Sequence, residues 1–286
     1  MNQPGIVNST QAKPRRPVSR NQKILFFVTG WLIVLMPFLF WWNTWFGRHL
    51  SDQQMTEYLH DEKKPRHIQH ALVQLGDRMS HADIAARKWY PDLVRLASYP
   101  VEEVRNTDAW VMGQDTSIPD FHESLLKMLA DSSPMVRGNA ALSLVRFGDP
   151  IGRPQIVALL QPAHILAPSA GRVADSDRPG TAIHDGGLIA KLSVAGSSQP
   201  TEIRSPFPGR IRSVAQPGAN IAAGAELAVI DPANEQVWEA LRALYLIGQP
   251  QDLDTIRPYE RDVPDVSNDV RQQALETEKA IQARAK

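Results

Sequence analysis

Residues 165–192 read ILAPSAGRVADSDRPGTAIHDGGLIAKL, and residues 203–230 read IRSPFPGRIRSVAQPGANIAAGAELAVI. A shift of 38 positions lays one on the other without a gap. Ile165, Pro168, Gly171, Arg172, Pro179, Gly180, Ile183, Gly186 and Ala190 return as Ile203, Pro206, Gly209, Arg210, Pro217, Gly218, Ile221, Gly224 and Ala228. Val173 returns as Ile211, Ile189 as Leu227 and Leu192 as Ile230. Apolar positions and turn formers both keep their places, so the chain holds two copies of one small unit.

The unit reads as β. In the second copy Ile203, Ile211, Val214, Ile221, Leu227, Val229 and Ile230 lie in short apolar stretches between Pro-Gly and Ala-Gly-Ala turn signals, which is strand spacing and not helix spacing. Proline presets φ and glycine accepts φ > 0, so Pro179-Gly180 and Pro217-Gly218 suit turns. One copy alone is too short to bury an apolar face, whereas two interlocked copies can close a small sandwich.

Ala167-Pro168-x-x-Gly171-Arg172-Val173, followed by Pro179-Gly180-x-x-Ile183-x-x-Gly186-x-x-Ile189, resembles one half of a biotinyl/lipoyl-type barrel-sandwich hybrid, and 205–230 resembles the other half. In carriers of that family the modified lysine sits at the hairpin joining the halves. Here Ser193–Thr201 joins them without a lysine, and the nearest, Lys191, falls inside a strand. The unmodified version resembles the lipoyl-like domain of periplasmic adaptor proteins, which implies an adaptor role without a cofactor.

Near the start of the chain Ile24–Phe46 carries no charged side chain over 23 residues. A helix of that length rises roughly 34 Å, enough to cross a bilayer, with Pro37 as a kink and Trp41, Trp42 and Trp45 as an interfacial belt. Lys13, Arg15, Arg16, Arg20 and Lys23 precede it without an acidic residue, which predicts a cytoplasmic N-terminus. The whole chain balances 31 basic against 31 acidic residues, so the body beyond this basic tail has an acidic surplus that argues against nucleic acid as a partner. There is no cysteine, consistent with an exported protein lacking disulfides.

Helical spacing flanks the β unit on both sides. Pro134-x-Val136-Arg137-x-x-Ala140-Ala141-Leu142-x-Leu144-x-x-Phe147-Gly148 starts with a proline, ends on a glycine and is followed by a short apolar run, 156–160. Similar stretches begin at Pro65, Val104, Val237 and Val270. These units resemble HEAT-type repeats, in which each helix pair buries a face against the next. The resemblance implies an extended surface for other proteins.

Catalytic signals are weak. His67 and His70 share a predicted helix near His60 and Asp61, but no third metal ligand is fixed by spacing. His184-Asp185 aligns with Ala222-Ala223 of the second copy and reads as a solvated turn. No nucleophile elbow or phosphate-binding glycine loop occurs. Arg172 and Arg210 occupy equivalent places in the two copies and are the candidate partner surface.

The expected fold is therefore α+β and multidomain. A basic disordered tail (1–23) and a single transmembrane helix (24–46) precede HEAT-like repeats (47–162), an inserted all-β barrel-sandwich hybrid (163–231) and C-terminal HEAT-like helices (232–286). The expected protein is a scaffold or adaptor in the inner membrane, single-pass, with its body periplasmic. It would bind other proteins without catalysis, metal or cofactor. The alternatives are a structural subunit of a membrane transport or respiratory complex, and an enzyme or carrier of lyase or lipoyl/biotinyl type.

Overall fold

The computed structural model describes residues 20–45, 49–263 and 265–286. The chain divides into two compact units, Met1–Leu50 and Ser51–Lys286. In the first, helix α1 spans Arg20–Trp45 with Pro37 inside it. Phe26, Phe27, Trp31, Ile33 and Val34 are all exposed on it.

Among the described residues no helix is long and apolar enough to cross a membrane. This corrects the single transmembrane helix expected over 24–46. It also removes the basis for placing the chain in the inner membrane as a single-pass protein with a periplasmic body. Of the expected tail, residues 1–19 lie outside the described residues, whereas Arg20–Lys23 are the first turn of α1.

The second unit opens with α2 (Asp52–Leu59), α3 (Pro65–Ser80), α4 (Tyr90–Leu96), α5 (Glu102–Met112), α6 (Pro119–Met128), α7 (Pro134–Arg146) and α8 (Arg153–Ala158). Their starts follow from the local sequence. Proline occupies the first turn of α3, α6 and α7, where its missing N–H costs nothing. Ser51 forms a capping box with Gln54, and the Ser133 hydroxyl accepts from the Met135 and Val136 amides. After the β segment come α9 (Asn234–Ile247), α10 (Leu253–Ile256) and α11 (Asn268–Arg284).

Alternate helices stack in a row: α5 lies between α3 and α7, α9 packs on α7, and α11 packs on α9. Between them α4, α6 and α8 each pack against the next member of that row. A shared register explains the stacking. Ile68, Val104, Val136, Val237 and Val270 are buried at equivalent places near the helix starts, and one turn later the next core side chain follows on the same face.

Hydrogen bonds cross neighbouring helices at nearly constant sequence separation. Asn139 Nδ2 donates to Asn106 Oδ1 (2.7 Å, 33 residues apart) and Ser143 Oγ to the Ala109 carbonyl (2.8 Å, 34 apart). Thr277 Oγ1 donates to the Leu241 carbonyl (2.9 Å, 36 apart).

The β segment lies between α8 and α9 in sequence, yet α9 packs directly on α8, and the two share a core that includes Val145, Ile156, Val237 and Leu241. Its strands are β1 (Ala163–Leu166), β2 (Gly171–Ser176), β3 (Ala182–Ile183), β4 (Leu188–Ser193), β5 (Thr201–Arg204), β6 (Gly209–Val214), β7 (Asn220–Ile221) and β8 (Glu226–Pro232). They form two four-stranded sheets, β1-β8-β6-β3 and β5-β4-β2-β7. The 38-residue shift carries β1 to β5, β2 to β6, β3 to β7 and β4 to β8, and so carries the first sheet order into the second. Each sheet takes two strands from each copy, so the copies are interlocked around one apolar core.

Close packing sets the recurring glycine. A Cβ on Gly209 would lie 2.1 Å from the Asp231 carbonyl oxygen, and one on Gly171 would lie 2.6 Å from that of Ser193, the equivalent neighbour.

The strands do not close. The edges of the two sheets are β1 and β3, and β5 and β7; β3 and β7 are each two residues long, too short to carry a ladder onward. The all-β barrel-sandwich hybrid expected over 163–231, and with it that part of the expected fold, is corrected accordingly: the second unit is a mixture of helices and small sheets without a closed barrel.

Candidate partner-binding site

Strand β6 alternates inward Gly209 and Ile211 with outward Arg210 and Arg212. The outward pair faces a cleft of about 930 Å³ between the β segment, the start of α9 and the residues 255–263 and 265–266. Its walls are mixed, with Leu160, Pro162, Ala182, Pro232 and Val266 beside Arg210, Arg212, Asp231 and Asp265. Arg212 presents its fork to the Asp231 carboxylate, with Nε 3.0 Å from Oδ2 and Nη2 on Oδ1. That bond holds the guanidinium pKa above its ordinary value.

Tyr259 closes one side. Its hydroxyl donates to the Leu160 carbonyl at 2.5 Å, across 99 residues of sequence. Burial, and then the Asp231 charge, push the phenol up to about 12, so it stays a neutral donor. At the rim Arg210 Nε lies 3.8 Å from Asp265 Oδ1, an exposed pair of little energetic weight.

Arg172 and Arg210 make equivalent contacts in the two copies. Arg210 Nη1 donates to the Gly180 carbonyl (2.8 Å), and Arg172 Nε to the Gly218 carbonyl (3.1 Å). Each arginine thus holds the Pro-Gly turn of the other copy, a symmetric lock between the interlocked halves. Arg210 in addition lines the cleft; Arg172 does not.

The helical row has its own polar seam. Arg105 engages both oxygens of Asp131, at 2.7 and 2.9 Å, and donates to the Tyr99 and Pro100 carbonyls at 2.8 and 3.1 Å. Arg137 repeats the second pattern at the same offsets, donating to the Asp131 and Ser132 carbonyls at 2.6 and 2.9 Å. In both units the arginine in the first turn of the second helix ties down the loop before it.

Residues 123–149 match the family model of the HEAT repeat. The chain therefore carries a HEAT-like repeat, spanning the end of α6, the loop held by Arg137, and α7. No curated protein matches the chain. Among solved structures, one described as the crystal structure of an engineered protein is 15% identical, over 81% of this chain and 80% of that one, with a TM-score of 0.39. So distant a likeness decides neither fold nor function.

Outside the HEAT-like unit the other candidates separate. His67 Nδ1 is 2.8 Å from Asp61 Oδ2 and its ring stacks on Tyr58, whereas His70 Nε2 is bonded to Gln74 and His60 pairs with Asp92. Among the described residues no group of three or more His, Cys, Asp or Glu could hold a metal ion. Lys191 sits mid-strand in β4, opposite Asp175 and Glu202. The Asp185 carboxyl is raised above its usual range by desolvation and then by Glu102 and Glu103 of α5, so this turn faces the helical row.

Sequence reasoning missed Arg212, Asp231 and Tyr259. A signal for two of them exists: where the second copy has Arg212 and Asp231, the first has Ala174 and Ser193. The cleft-lining pair is a departure from the duplication.

Proposed function

We propose that the protein is a non-catalytic scaffold that binds other proteins, with the cleft at the junction of β6 and α9 as its principal docking site. The observation that carries this reading is the asymmetry between the copies. The interlocked sheets repeat one another, but the arginine–carboxylate pair of Arg212 and Asp231 occurs where the second copy meets the helices, and Ala174 and Ser193 hold the equivalent places. A HEAT-like array supports the same reading, because stacked helix pairs offer broad, rigid surfaces. The cleft joins apolar walls to a charged rim, the composition of a protein-binding surface.

Site-specific photocrosslinking tests it. A crosslinker at Val263, an exposed cleft residue, should yield a defined protein adduct in cells, while one at Lys127 on α6 should not. Arg210→Glu should abolish the Val263 adduct. Equal labelling from both positions, or an adduct indifferent to Arg210→Glu, would count against the cleft.

A further inference from the structure

The shared register of the helical row places Leu72, Ala140, Leu241 and Ala274 one turn after the first buried residue of α3, α7, α9 and α11, and all four are fully buried. In α5 the same step is Asp108. It is as buried as its apolar counterparts, and neither carboxyl oxygen has a hydrogen-bond partner among the described residues. A carboxylate there would sit among helices with no hydrogen bond to it and only the field of Arg95 against its desolvation, at a cost well beyond that of a surface acid.

The charged groups of the packed elements are committed elsewhere. On α4, Arg95 is the cation whose field reaches Asp108, but its Nη2 donates to the Leu59 carbonyl (2.9 Å) and to Asp92 Oδ1 (3.1 Å). On α3, His67 is bonded to Asp61, His70 to Gln74 and Arg78 to Asp52, while Arg66 and Asp77 are exposed. On α6, His122 is bonded to Asp149, Lys127 to Glu123, and Asp120 is exposed. On α7, Arg137 and Arg146 donate to backbone carbonyls. On α5 itself, Arg105 is bonded to Asp131, and Glu102 accepts from Ser133.

We propose that Asp108 is a proton-operated latch in the helical row: protonated, it leaves α5 seated between α3 and α7, and ionised, it opens α5 locally. Desolvation holds the carboxyl well above its ordinary range, opposed in part by Arg95. The seated state therefore keeps a proton that the opened state releases above about pH 4. Opening becomes more favourable as pH rises from there until the seated carboxyl itself ionises. Because the acid lies in one helix of a stacked row, the opening is local to α5 and its contacts.

Hydrogen exchange on the full chain at pH 5.5 and pH 8.5, corrected for the intrinsic exchange rate, tests the latch. Protection over 102–112 should fall at least tenfold at the higher pH relative to α9. Both Asp108→Asn and Asp108→Leu should abolish that fall. Protection over 102–112 that is constant with pH, that falls equally in α9, or that still falls in both variants overturns the proposal. If neither variant folds, the comparison of α5 with α9 in the unaltered chain decides alone.

Discussion

Arg105 shows what a sequence motif leaves unsaid. The Val-Arg pair at the start of a helix is visible in the sequence, but its bidentate grip on Asp131 needs the two loops to meet. Both side chains are mostly buried, at 13% and 11% exposure, so truncating the arginine strands a carboxylate. Arg105→Ala should destabilise the chain by about 3 kcal/mol, and Arg105→Lys by less, since an ammonium keeps the charge opposite Asp131 but not the bidentate fork; urea unfolding at pH 7 measures both. The Arg105 hydrogen bond, aided by the Ser133 amide, lowers the Asp131 pKa against desolvation. A lowered carboxyl stabilises the fold above its unfolded pKa and loses that contribution as pH falls through its folded pKa, so Arg105→Ala should unfold with less pH dependence below about pH 4. Gly171 and Gly209 make a second residue-level case. Their recurrence was legible, and a Cβ at either meets a backbone oxygen. Alanine at either site should cost about 2 kcal/mol or more, read as a lower urea midpoint.

Among the helices, spacing found most of the row because period 3.6 is a local property. Pro134–Gly148 emerges as α7 with Ser133 as its cap and Gly148 at φ 77° just beyond its end. Gly76 behaves otherwise: α3 continues to Ser80, and the glycine lies inside the helix because a Cβ there would come 2.7 Å from the Trp110 ring. Trp110 itself is 43% exposed. The β segment separates α8 from α9 in sequence without separating them in space, and Ala163 pairs with Ile230 across its base. Replacing 163–230 by a short Gly/Ser linker should therefore leave a helical row that melts cooperatively by circular dichroism; a broad, non-cooperative melt would mean that α8 and α9 depend on the sheets for their packing.

Across the whole second unit, buried Asp108 and partly buried Asp131 pull the pH profile in opposite directions. Stability contributed by ionised Asp131 fades as pH falls, while the neutral state demanded of Asp108 costs more as pH rises. The urea midpoint of Asp108→Asn should therefore exceed that of the unaltered chain by a margin that grows between pH 5 and pH 8, and a margin flat with pH would contradict the burial of a neutral acid. The duplication, the turn positions and the helical periodicity are all legible in the order of residues, because each is carried by residues close together in the chain or by identity between two copies. The folded arrangement was needed to show that the copies exchange strands without closing a barrel, that Arg172 and Arg210 lock each other's turns, that Arg212, Asp231 and Tyr259 wall one cleft, and that Asp108 is buried with no hydrogen-bond partner among the described residues. Those outcomes depend on contacts such as Tyr259 with Leu160, 99 residues apart, and local propensity carries no information about which distant groups will meet.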